Sequence, residues 1–156
     1  ELESRGVKFV YRSEIVAQTQ LKAGDVDCLL VNTTGELKLF YEHATVIFVG
    51  KSLSAQGGQN PIEPGALAKP MVFGPNMQNF SEIVSQFLKE KGAVQVQNPA
   101  ELEEAIVALL GDEKRREELG TNALKVVRRN LGAIDRTVEM IIAGLDHEEL
   151  YIAPQK

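Results

Sequence analysis

The sequence predicts an α/β fold in which a parallel sheet carries helices on both faces. Three observations predict it: short apolar runs recur through the first two thirds of the chain, longer segments of helical period separate them, and the last third holds no strand pattern. At 156 residues and 44% hydrophobic content, the chain is of a size for one domain, residues 1–156, with a continuous core.

Strands are expected at residues 7–11, 28–32, 46–49, 71–73 and 93–96, each short and mostly apolar, as strands buried on both faces are. Between them, residues 36–43, 63–68 and 80–91 read as helices, the last ended by Gly92 in the left-handed position that follows a helix. Five strands joined by such crossovers make a Rossmann-like sheet. Pro99 then opens a helix with Leu102, Ile106, Leu109 and Leu110 on one face. Residues 112–129 carry Leu119, Ala123, Val126 and Val127 on one stripe, with acids early and Arg128 and Arg129 late, which suits the helix dipole. A final helix over 134–145 is expected to turn Val138, Ile141 and Ile142 inward and to lead into a polar tail ending Ala-Pro-Gln-Lys.

Composition narrows the function. A net charge of −5 lacks the positive footprint that a phosphate backbone requires, so nucleic acid is not an expected partner. The single cysteine, Cys28, sits in an apolar run and is expected to be a buried reduced thiol, which suits a reducing compartment. No apolar run reaches the length of a membrane span, and the opening Glu-Leu-Glu-Ser-Arg is not a signal peptide. With no initiator methionine, the chain reads as a soluble piece of something longer. No cluster of His, Cys and Asp has the spacing of a metal site, so neither metal nor cofactor is expected. His43 and His147 are given no chemistry. Lys114, Arg115, Arg116, Arg128 and Arg129 are interleaved with acids and read as a solvated face.

Residues 48–80 hold the chemistry: Gly50, Gly57, Gly58, Gly65 and Gly74 alternate with Pro61, Pro64, Pro70 and Pro75. These loops fall beyond strand carboxyl ends, where open α/β sheets bind ligands, and glycine lets the backbone approach a phosphate. Glu63, in a helix first turn, suits ribose hydroxyls; its plain alternative is an acid complementing the helix dipole. A second loop, Asn32-Thr33-Thr34-Gly35-Glu36-Leu37, follows the second strand, where Thr33 or Thr34 is equally readable as an ordinary cap. Neither loop is a GxGxxG or a Walker motif.

Taken in order, Thr34-Gly35-Glu36-Leu37, Phe48-Val49-Gly50-Lys51-Ser52-Leu53, Gly57-Gly58-Gln59-Asn60-Pro61-Ile62-Glu63-Pro64, Phe73-Gly74-Pro75 and Asn79-Phe80 resemble the 3-deoxy-D-manno-octulosonic acid (Kdo) transferases. The resemblance implies the carboxy-terminal domain of a GT-B glycosyltransferase, binding CMP-Kdo for transfer to a lipid A precursor in lipopolysaccharide biosynthesis at the cytoplasmic face of the bacterial inner membrane. It implies that Gly35, Glu36 and Leu37 contact the CMP portion, as do Asn60, Pro61, Ile62 and Glu63. Gly50, Lys51 and Ser52 are a candidate phosphate or sugar loop. The acceptor, the general base and most membrane contact would belong to an amino-terminal domain outside this chain, so this piece alone would not turn over. Two positions depart from the family: Lys51 stands where a second glycine is usual, and Gln59 where histidine is. An Arg-His-Pro segment that normally helps to hold CMP is absent. The alternatives are a GT-B domain for a UDP- or ADP-sugar, and a non-catalytic nucleotide-binding module.

Overall fold

The computed structural model describes residues 1–147, apart from the side chains of residues 133–136 and 144–147; the expected polar tail lies outside them. The chain divides into two compact units, Glu1–His43 and the remainder from Ala44 onward. In the first, strands β1 (Phe9–Tyr11) and β2 (Cys28–Leu30) pair in parallel, and helix α1 (Leu37–His43) follows. A single 3-10 turn, Arg12–Glu14, leaves the carboxyl end of β1. No residue of this unit is fully buried, and Cys28 is half-buried instead of sealed in a core.

The second unit holds β3 (Ile47–Val49), α2 (Ile62–Ala66), β4 (Met71–Phe73), α3 (Ser81–Lys89), β5 (Val94–Gln95), α4 (Pro99–Gly111) and α5 (Glu113–His147). Strand β4 is central and pairs in parallel with β3 and β5. All five expected strands exist and all pair in parallel, but their hydrogen bonds form a two-stranded and a three-stranded ladder instead of one sheet. None exceeds three residues, so each ladder is short.

Being paired on both sides, β4 reads Met-Val-Phe with no exposed position. Around its Val72 pack Val96, Leu109 and Leu119, while Phe87 of α3 is also fully buried and α5 adds the predicted buried stripe of Ala123, Val126 and Val127. Full burial of Phe73 or Phe87 contributes about 1.5–3 kcal/mol. On α4 the expected face is only partly inward, because Leu109 is buried whereas Leu110 is exposed.

Three corrections concern the helices. Residues 113–147 form one helix, not two, and Val138, Ile141 and Ile142 are exposed on it. Gly92 does not take the left-handed position after α3; Lys91 does, with φ 54°. The amide of Lys91 bonds the Leu88 carbonyl and that of Gly92 bonds the Phe87 carbonyl, the paired closure of a Schellman end. Gly92 is required instead by packing, since a Cβ there would lie 2.8 Å from the Ala123 nitrogen. Helix α4 starts as expected with Pro99 in its first turn, and Asn98 caps it by accepting the Glu101 amide at 3.0 Å. A close approach also joins α5 to the end of α2, where a Cβ on Gly120 would lie 1.9 Å from the Ala68 carbonyl oxygen.

Candidate functional site

In the second unit the glycine-rich segment leaves the carboxyl end of β3 and closes on itself. Gly58 donates to the Lys51 carbonyl at 3.2 Å and Gln59 donates to the Gly50 carbonyl at 3.1 Å. From the far side it is held by the loop after β4: the Gln78 side chain accepts the Gly57 amide at 2.9 Å, and Asn76 donates its backbone amide to the Ser52 carbonyl at 2.9 Å. The fit leaves no room for side chains at the turn, since a Cβ on Gly58 would meet the Met77 sulfur at 2.3 Å. Asn76 and Gln78 were not singled out in the sequence, because a clamp across more than twenty residues leaves no local pattern.

Ser52 lies at the centre of this arrangement. It is fully buried, donates to the Val49 carbonyl at 2.5 Å and accepts the Gly74 amide at 2.9 Å. Its hydroxyl therefore spends its hydrogen bonds within the protein, where it secures the candidate phosphate or sugar loop. Lys51 is exposed and has φ 57°, a left-handed conformation that glycine adopts without strain. That conformation is a physical reason for the glycine usual at this position in the resembled family.

Beyond the Gly57-Gly58 turn the backbone enters α2. The Asn60 side chain accepts the Ile62 amide at 2.9 Å and donates to the Glu63 carboxylate at 3.0 Å, so Asn60 orients both the turn and the acid. Ile62 and Glu63 are exposed, while Pro61 is buried beneath them. A cavity of about 470 Å³ opens beside Ile62, lined also by Asn79, Phe80, Glu82 and Asn130. Its lining contains Glu82 and no lysine or arginine among the described residues, so it offers an anion no countercharge.

Gly35, Glu36 and Leu37 belong to the first unit. Gly35 has φ 87° and is exposed, as is Leu37. Between them Glu36 is half-buried, and both of its oxygens are engaged: Arg12 donates to one at 2.8 Å and the Thr33 hydroxyl donates to the other. The Thr33 hydrogen bond draws the carboxyl below its ordinary range; burial opposes this, and the Arg12 charge adds to the lowering. Glu36 is thus ionised at neutral pH. Thr33 serves the acid with its side chain, a role the sequence left open between cap and ligand. Arg12 was missed altogether, because it is 24 residues from Glu36 in the chain. Among the described residues no group of three His, Cys, Asp or Glu is placed to hold a metal ion, and no helix is long and apolar enough to cross a membrane.

Residues 12–126 match the family described as glycosyl transferases group 1. A 3-deoxy-D-manno-octulosonic acid transferase of Haemophilus influenzae is 33% identical over 141 residues, covering 90% of this chain and 32% of that protein. The transferase of the same name from Bordetella pertussis is 28% identical over 141 residues, covering 90% of this chain and 32% of its own length. The chain therefore spans about a third of the length of these relatives. Among solved structures, the C-terminal CMP-Kdo binding domain of WaaA from Acinetobacter baumannii superimposes with a TM-score of 0.73 at 30% identity, covering 81% of this chain and 64% of that one.

Proposed function

Since the chain belongs to the glycosyl transferases group 1 family, we propose that it is the donor-binding part of a Kdo transferase, which moves Kdo from CMP-Kdo to a lipid A precursor. The likeness to the Acinetobacter CMP-Kdo binding domain over most of the chain carries this reading. In it, the Gly35-Glu36-Leu37 and Asn60-Pro61-Ile62-Glu63 segments serve CMP binding, Glu36 and the buried Pro61 by holding their neighbours in place. Glu63, exposed and oriented by Asn60, accepts hydrogen bonds from the ribose. Buried Pro61 supports the turn, and Asn60 acts mainly by aiming Glu63.

Gly50 and Lys51 form the phosphate or sugar side, with the exposed Lys51 ammonium as a cation toward the departing CMP phosphate. Such stabilisation of charge as it develops is the largest lever available to a group-transfer site. The acceptor, the general base and the attachment to the inner membrane belong to the rest of the protein, so this chain alone binds the donor without turning it over.

Calorimetric titration with CMP, UMP and ADP tests the reading. CMP is expected to bind preferentially, and Glu63→Ala is expected to weaken it by about tenfold, as loss of a hydrogen bond to a charged group does. Tighter binding of UMP or ADP would overturn the assignment of the donor.

A further inference from the structure

The first unit contains a clamp that the donor motif does not include. Arg12 spreads its guanidinium between two acceptors: Nη1 donates to the Ile15 carbonyl at 3.2 Å, closing its own turn, and Nη2 donates to Glu36 at 2.8 Å. Beside it, Ser13 donates its amide to the Asn32 side chain at 3.1 Å, and Asn32 donates back to the Ser13 hydroxyl at 2.9 Å. Two successive residues at the carboxyl end of β1 therefore tie down both ends of the loop that follows β2. An ordinary surface ion pair contributes little, and Arg5 with Glu1 is of that kind, the two side chains being 71% and 82% exposed. Arg12 and Glu36 are 32% and 28% exposed and share a fork with a backbone carbonyl, so their geometry is fixed from more than one side.

We infer that Arg12 is a positioning residue for donor binding: it holds the Glu36 carboxylate, and through it the Gly35 and Leu37 backbone, in the arrangement that meets the CMP portion. The inference rests on the donor reading above. Glu36 has both oxygens committed within the protein, so its main service is to fix the loop, and the flanking backbone of Gly35 and Leu37 is what the loop presents. Lysine cannot replace the fork, because a single ammonium does not span the Ile15 carbonyl and the Glu36 carboxylate in a fixed plane.

The test combines CMP titration with amide spectra of Arg12→Gln, Arg12→Lys, Glu36→Gln and the Arg12→Gln, Glu36→Gln double variant. Arg12→Gln is expected to weaken CMP binding by about tenfold, and Arg12→Lys to recover part of the loss. In the Glu36→Gln background, Arg12→Gln is expected to add nothing, because both substitutions break one contact. Wild-type affinity in Arg12→Gln, or effects that multiply in the double variant, would overturn the inference. If the unaltered chain binds no CMP, the donor reading fails while the clamp is still decided: the Gly35 and Leu37 amide resonances must move in Arg12→Gln and move no further in the double variant. Unmoved resonances would overturn it. Should Arg12→Gln not fold, the same comparison is made with Arg12→Lys.

Discussion

Lys51 is the residue at which conformation and chemistry oppose each other. Its left-handed backbone costs about 1 kcal/mol relative to glycine, and strain of this kind persists where the surrounding structure or the ligand requires that residue. Lys51→Gly is therefore expected to raise stability by about 1 kcal/mol, read as an upward shift of about 3 °C in a thermal melt. In the same variant CMP affinity is expected to fall, since the ammonium is gone. A gain in both would show that the cation takes no part in binding. At this scale the sequence was legible wherever a motif was local: Asn60 and Glu63 are three residues apart and do meet. It was silent on Arg12, Asn76 and Gln78, which reach their partners only after the chain has folded back, and it gave no sign that Ser52 would be buried.

Helix ends and helix lengths were the less legible features of the elements. A glycine after a helical run is ordinarily read as its left-handed cap, yet here Lys91 takes that conformation and Gly92 makes room for the Ala123 backbone. The two positions should respond oppositely in chemical denaturation. Lys91→Gly is expected to stabilise by about 1 kcal/mol through relief of strain, and Gly92→Ala to destabilise by about 1–3 kcal/mol through overpacking. Separate helices were expected over 112–129 and 134–145, but Gly132 between them costs a helix interior only about 1 kcal/mol and does not interrupt α5. The apolar residues beyond it were read as inward because their spacing is helical. Spacing fixes which residues share a face and leaves open whether anything covers that face.

Across the whole chain, the alternation of short apolar runs with helical segments was enough to give parallel α/β architecture, because parallel strands need crossovers and both leave strong patterns. The division at His43 was not legible, since no change of composition marks it. It has a measurable consequence. The first unit contains no fully buried residue, whereas the second is built around Phe73, Phe87 and Val126. Hydrogen exchange is expected to show the amides of β1 and β2 opening at least about tenfold faster than those of β4, with local opening of the first unit preceding global unfolding. Equal protection would refute that ordering. The notch at Gly120 has a consequence of the same kind. The Ala68 carbonyl occupies the space that any side chain at residue 120 would need, so α5 lies against the chain just past α2 at backbone-to-backbone distance. Even one methyl group there would act as a wedge, forcing α5 away from the segment that carries Ala68.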